Sequence, residues 1–210
     1  MVATLQSLIA WFDELQAVYA DKKEYLTELD SAIGDADHGI NLDRGFTAVK
    51  AALESAPPST ISEALKGVAM TLIKTVGGAS GPLYGTWFLK ASIATQNIDE
   101  IDAAAFVAMV DEGVAGVMAR GKAEVGHKTM VDVWVPAAEA MRTSLDDGGD
   151  LATVLDAAIG AAKTGVETTV DMVAVKGRAS FLGERSRGHQ DPGATSSLLM
   201  LEAARKTLPV

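Results

Sequence analysis

Between Ile33 and Gly45 the chain reads IGDADHGINLDRG, which sets Asp35, Asp37, His38 and Asp43 among three glycines, directly after Asp30 closes a helical pattern. Carboxylates this close repel one another unless solvent screens them or a cation sits among them. Two readings fit. One is a solvated turn that caps the next helix, since Asp and Gly are common turn residues. The other is an all-oxygen ligand set for a hard divalent cation such as magnesium, which commonly bridges carboxylates to phosphates.

Three further connections have compositions that bear on this choice. In GGASGPLYG, Gly77 to Gly85, small residues precede Pro82, whose fixed φ suits a first helical turn. Free N–H groups and the helix dipole then face the same way, which makes an anion site, although a close helix–helix corner would use the same residues. In KGRASFLGERSRGHQDPGATS, Lys176 to Ser196, the cationic or titratable residues Lys176, Arg178, Arg185, Arg187 and His189 precede Gln190 with Glu184 as the lone acid. Guanidinium groups suit phosphate oxygens, while Asp191 either caps the next helix or accepts from a ligand's hydroxyl or amino groups. RGKAEVGHKTM, Arg120 to Met130, is the last, and all three histidines (His38, His127, His189) fall in these loops. The lysine of a phosphate loop, GxxxxGK[ST], is missing, so the usual phosphate-loop enzymes are not indicated.

Charge separates one cation from two. Three aspartates and a diphosphate of about −3 leave roughly −4 around one divalent ion but only about −2 around a pair, which an arginine relieves further. Asp30, Asp35 and Asp37 with paired magnesium is therefore the better-balanced set. Asp43, one turn into the following helix, is expected to cap or to pair with Arg44.

The elements that must position these residues read as helices. Apolar residues recur at helical spacing from Leu5 to Tyr19, Ile61 to Val76, Phe106 to Val117, Met130 to Met141 and Leu151 to Val166. Shorter stretches fit Phe46 to Ser55, Pro82 to Thr95 and Ala194 to Thr207. Thr60 and Glu63, three apart after two prolines, form a capping-box pattern. About eight helices with few alternating β-branched runs predict an all-α bundle, and the Asp146 to Asp150 stretch is short enough to be a helix connection. With 210 residues, 48% of them hydrophobic, the chain is expected to form one domain over 1–210. Eighteen basic against twenty-eight acidic residues, a net charge of −10, disfavour nucleic acid and anionic membrane as partners. Neither a spanning helix nor a signal peptide is expected. The absence of cysteine excludes disulfides and thiolate chemistry and is compatible with a cytoplasmic location.

Four motifs, IGDADHGxNxxRG, GGASGPLxGT, GKAExGxKTMxDVWxP and KGRASxLGERSxGHQDPGATS, together resemble the nucleotide-binding L subunits of bacterial dihydroxyacetone kinases driven by the phosphoenolpyruvate phosphotransferase system. The resemblance spans the chain. It implies an antiparallel barrel of eight amphipathic helices with the nucleotide and metals at one end. It also implies ADP as a retained coenzyme, carried as ATP when phosphorylated, with two magnesium ions. The partners implied are a phosphohistidine M subunit as donor, a K subunit that holds dihydroxyacetone, and in some bacteria a transcriptional regulator. Residue by residue, the resemblance assigns the metals to Asp30, Asp35 and Asp37, and the phosphates or base region to His38 and Asn41. Ala79 and Ser80 would cradle phosphate, Met130 would pack on adenine, Arg178 would compensate charge, and Gly121, Asp191 and Gly193 would complete the pocket. No catalytic side chain is implied, because nucleophile and leaving group belong to ADP and the partners. Three rivals stay open from sequence: the nucleotide domain of an ATP-dependent dihydroxyacetone kinase, a nucleotide-sensing module without turnover, and a magnesium-dependent hydrolase.

Overall fold

The computed structural model describes residues 2–208 and contains nine α-helices among them. They are α1 (Leu5–Asp21), α2 (Lys23–Ile33), α3 (His38–Ser55), α4 (Ile61–Thr75), α5 (Ser80–Ala94), α6 (Ala103–Gly121), α7 (Val131–Asp146), α8 (Leu151–Thr168) and α9 (Pro192–Thr207). The starts follow local chemistry. Thr4, Thr60, Asp102, Asp150 and Asp191 each accept from the backbone N–H three residues on, at 2.7–3.3 Å, and each such cap contributes on the order of 1 kcal/mol. At Thr60 the reciprocal half of the box is displaced by one residue, since the Glu63 carboxylate accepts from Ser59 N–H at 2.8 Å.

Packing closes a ring. Going round from α1, each helix packs on the next in the order α3, α4, α5, α6, α7, α8 and α9, and α9 returns to α1. Eight helices thus form the barrel expected from sequence, while the ninth, α2, leans on α3 and α9 at one end. That ninth helix is not among the eight expected from periodicity, although a helical pattern closing at Asp30 marks its last turn, and only Lys22 separates it from α1. The helix expected from Phe46 starts at His38, and the one expected from Pro82 starts at Ser80.

The barrel interior is filled by fully buried Trp11, Phe12, Tyr19, Phe46, Trp87, Phe88 and Trp134 among leucines, valines and alanines. Trp87 is the hub, with ring centroids 5.0 Å from Phe88 and 5.2 Å from Trp134. Gly113 on α6 admits that indole: a Cβ there would sit 2.7 Å from Trp87 Nε1, so α5 and α6 could not approach as closely with any other residue. Sequence patterning gives no sign of a short ribbon in which Ala3–Thr4 pairs antiparallel with Glu100–Ile101, fastening the start of α1 to the α5–α6 connection. No helix among the described residues is long and apolar enough to cross a membrane.

Candidate functional site

The end of the barrel next to α2 gathers the loops singled out by composition. Asp30 lies in the last turn of α2 and is buried, and its Oδ2 accepts from the backbone N–H of Asp37 at 2.8 Å and of His38 at 3.2 Å. The α2–α3 loop is thereby folded back over α2, which brings Asp35 and Asp37 to Asp30. One carboxylate oxygen from each of the three lies within 4.8 Å of the others. Gly34 makes this approach feasible, because a Cβ there would collide with Asp30 Oδ1. Ala36 takes a left-handed φ of 60° between the two loop aspartates, a conformation alanine adopts only where the surroundings enforce it. An all-oxygen set held by backbone donors and a glycine cradle fits a hard cation such as magnesium.

His38 opens α3 and is buried. Its Nδ1 lies 3.1 Å from Ser80 Oγ, and its Nε2 lies 2.8 Å from Ser196 Oγ. Burial pulls its pKa down to about 4, although Asp30 and Asp37 act in the opposite direction. A neutral imidazole can donate to one hydroxyl and accept from the other. Ser196 in turn meets the Tyr84 hydroxyl at 2.6 Å, and burial pushes that phenol up to about 12, so it stays protonated. A polar chain from α5 through α3 to α9 is therefore locked beneath the cleft.

The cleft encloses about 170 Å³ and is lined by Asp30, Asp35, Asp37, His38, Ala79, Ser80, Met130, Arg178, Asp191 and Gly193, among others. Ala79 and Ser80 are the N-cap and first residue of α5. Arg178 reaches across from the last long loop to Asp35 at 2.9 Å. Asp191 caps α9 through Ala194 N–H at 2.7 Å, and burial raises its carboxyl to about 7, with that hydrogen bond and Lys128 opposing the rise. A second cleft of about 250 Å³ adjoins the first, sharing Ala79, Leu83, Thr129, Met130, Lys176 and Gly177, and Gly121 lies in its wall.

The other residues singled out by sequence are placed as follows. Asn41 lies outside both linings, accepting from Arg44 at 2.5 Å beside Gly77. Asp43 pairs with Lys23 at 3.1 Å rather than with Arg44, because one turn into α3 it faces α2. Of the basic loop, Lys176 and Arg178 line the cleft, whereas Arg187 turns to Glu184 and to the Asp171 carbonyl. His127 serves its own loop, accepting from Glu124 N–H at 3.1 Å. Lys128, which sequence reasoning does not single out, lies in the lining; its signal is its place inside the KTM motif.

The chain is similar to known proteins along most of its length. The model of the DAK2 domain matches residues 32–206. The chain is 46% identical over 195 residues to the PEP-dependent dihydroxyacetone kinase, ADP-binding subunit DhaL, of Escherichia coli (strain K12), covering 93% of each chain. It is 41% identical over 202 residues, 95% of each chain, to the PTS-dependent dihydroxyacetone kinase ADP-binding subunit DhaL of Lactococcus lactis subsp. lactis (strain IL1403). The dihydroxyacetone kinase from C. freundii, solved in complex with AMP-PNP and Mg2+, superposes with a TM-score of 0.72 at 22% identity. That match covers 94% of this chain but only 33% of the longer kinase, and it establishes a shared fold. From a family model spanning most of its length and relatives matched almost end to end, the chain belongs to the DAK2 domain family.

Proposed function

We propose that this chain is the ADP-carrying subunit of a phosphoenolpyruvate-dependent dihydroxyacetone kinase, a phosphotransferase subunit acting as one nucleotide-binding domain over residues 1–210. The observation that carries the reading is the convergence of three aspartate oxygens, the N-terminus of α5 and Arg178 on one cleft. Relatives of near-identical length are named as ADP-binding subunits of such kinases.

Asp30, Asp35 and Asp37 would hold two magnesium ions. When bound, the metals supply charge neutralisation along the phosphate chain. The residues of the chain do the positioning. Ala79 and Ser80 present free N–H groups at the α5 N-terminus, where an anion is stabilised. Arg178 offsets carboxylate charge from the opposite wall, and Met130 with Gly121 offers an apolar slot for a base. Asp191, facing the cleft, accepts from ligand hydroxyl or amino groups. His38, neutral and held at both nitrogens, adds no charge to the site.

No side chain here acts as nucleophile; the donor is a phosphohistidine of an M subunit, and the acceptor is dihydroxyacetone on a K subunit. Val125, Val175 and Phe181, in the loops that also carry lining residues of the cleft, are exposed apolar side chains that a docked partner would cover. The cytoplasm is the compartment this reading assigns.

The test is turnover with K and M partners and phosphoenolpyruvate. Dihydroxyacetone phosphate should accumulate over many cycles without added nucleotide, while ATP in place of phosphorylated M should give about one turnover per subunit, limited by exchange. Sustained turnover on ATP alone would instead establish an ATP-dependent kinase.

A further inference from the structure

Lys128 is 1% exposed, yet among the described residues its ammonium has no carboxylate in hydrogen-bond contact. It donates to the backbone carbonyl of Thr169, just past α8, at 2.5 Å, and to that of His189. The two acceptors lie forty-one and sixty-one residues away in sequence. Thr169 is itself joined to the same wall, because its Oγ1 accepts from Asp191 N–H at 3.0 Å. The side chain thus bolts the strip that leads into Asp191 and Gly193 onto the end of α8.

Its own loop is built to deliver it. Lys128 has a left-handed φ of 59°, a conformation disfavoured for a lysine. Buried Asp132 enforces the turn on both sides, accepting from Gly126 N–H at 2.5 Å and from Thr129 N–H at 2.7 Å. Val175 N–H donates to the His127 carbonyl at 3.2 Å, so the loop that brings Lys176 and Arg178 to the cleft is fastened here too. Desolvation lowers the lysine's pKa, with Asp191, Asp171 and Asp132 acting in the opposite direction. A glycine would satisfy the turn without strain, and an apolar residue would fill the space without desolvating a charge. Both costs are borne at the edge of the cleft, and Lys128 is part of its lining.

We propose that Lys128 is a positioning residue of the nucleotide site, whose buried ammonium fixes the 189–193 strip and adds a buried cation to the Lys176 and Arg178 side chains that line the cleft. The proposal rests on the nucleotide-binding reading above. Outer partners of this kind change ligand affinity by roughly tenfold to a hundredfold when removed.

The experiment uses the full chain, with lysine labelled with nitrogen-15 at Nζ, and K128M, which keeps the unbranched stem of the side chain without its terminal charge. ADP affinity is measured by equilibrium dialysis in saturating magnesium, helicity by circular dichroism, and the Lys128 Nζ resonance of the unsubstituted chain is followed through a titration with Mg-ADP. K128M should keep its helicity and bind ADP at least about tenfold more weakly, and the Nζ resonance should shift as ADP binds. A helical K128M with unchanged ADP affinity overturns the proposal. So does an Nζ resonance that stays fixed while the unsubstituted chain binds ADP, and this second arm decides the matter should K128M fail to fold. An unsubstituted chain that binds no ADP overturns the nucleotide reading itself and this proposal with it.

Discussion

Replacing Asp191 by asparagine separates the cost of a buried carboxylate from its service as a cap. Asp191 is 8% exposed, and burial raises its carboxyl from 3.8 to about 7. Between those values the folded chain keeps a proton that the unfolded chain has released, so the unfolded state binds fewer protons and stability falls as pH rises through the window. A tenfold change in proton affinity corresponds to about 1.4 kcal/mol, so above about pH 7 the ionised carboxylate costs the metal-free protein on the order of 4 kcal/mol. Asparagine still caps α9, because its side-chain oxygen can accept from Ala194 N–H, but it cannot ionise. Urea unfolding with a chelator present, repeated from about pH 5 to about pH 8, should therefore find Asp191→Asn the more stable protein at the alkaline end. The gap should close by about 1.4 kcal/mol for each step of one in pH below 7. A difference that is constant across the range, or a variant less stable at the alkaline end, would refute the reasoning.

Asp30→Ala should abolish ADP and magnesium retention and leave the N–H groups of Asp37 and His38 without their acceptor, a cost of about 1–3 kcal/mol visible in urea unfolding of the metal-free protein. Asp43→Ala is the control: its ion pair with Lys23 is partly exposed, so calorimetry should show ADP binding unchanged and stability lower by no more than about 1 kcal/mol. Gly113→Ala should destabilise by about 1–3 kcal/mol, because the methyl group meets the Trp87 indole, and tryptophan fluorescence will report the change around that ring. Chelation of the purified protein should lower the melting temperature, since a ligand at a hundredfold its Kd contributes roughly 2.7 kcal/mol that then disappears.

The helical barrel is legible in the sequence because its faces repeat at helical spacing and its starts carry Thr or Asp caps, as at Thr60, Asp150 and Asp191. Where no residue of that kind intervenes, as at Lys22 before α2, and the buried face is as short as Leu26, Asp30 and Ile33, the helix goes uncounted. Charge and glycine content are sufficient to mark the loops of the site. They do not tell which basic residues turn inward: Arg178 and Arg187 look alike in sequence, and only the packing of the loop aims one at Asp35 and the other at Glu184. Asp43 shows the same limit, since its partner Lys23 lies on another helix, twenty residues away, and is not the adjacent Arg44. Apart from its place in the KTM motif, nothing marks Lys128, because a lysine in a polar loop reads as solvated. Its burial depends on the left-handed turn that Asp132 imposes, which is a tertiary outcome.

The central claim is that the cleft bounded by Asp30, Asp35, Asp37 and Arg178 retains a nucleotide with its metals. Native mass spectrometry of protein purified without chelator or added nucleotide tests it most directly. The account predicts a main species heavier than the chain by one ADP and two magnesium ions, which Asp30→Ala loses; a parent chain found only at its bare mass, with no ADP taken up on incubation with magnesium, would contradict it.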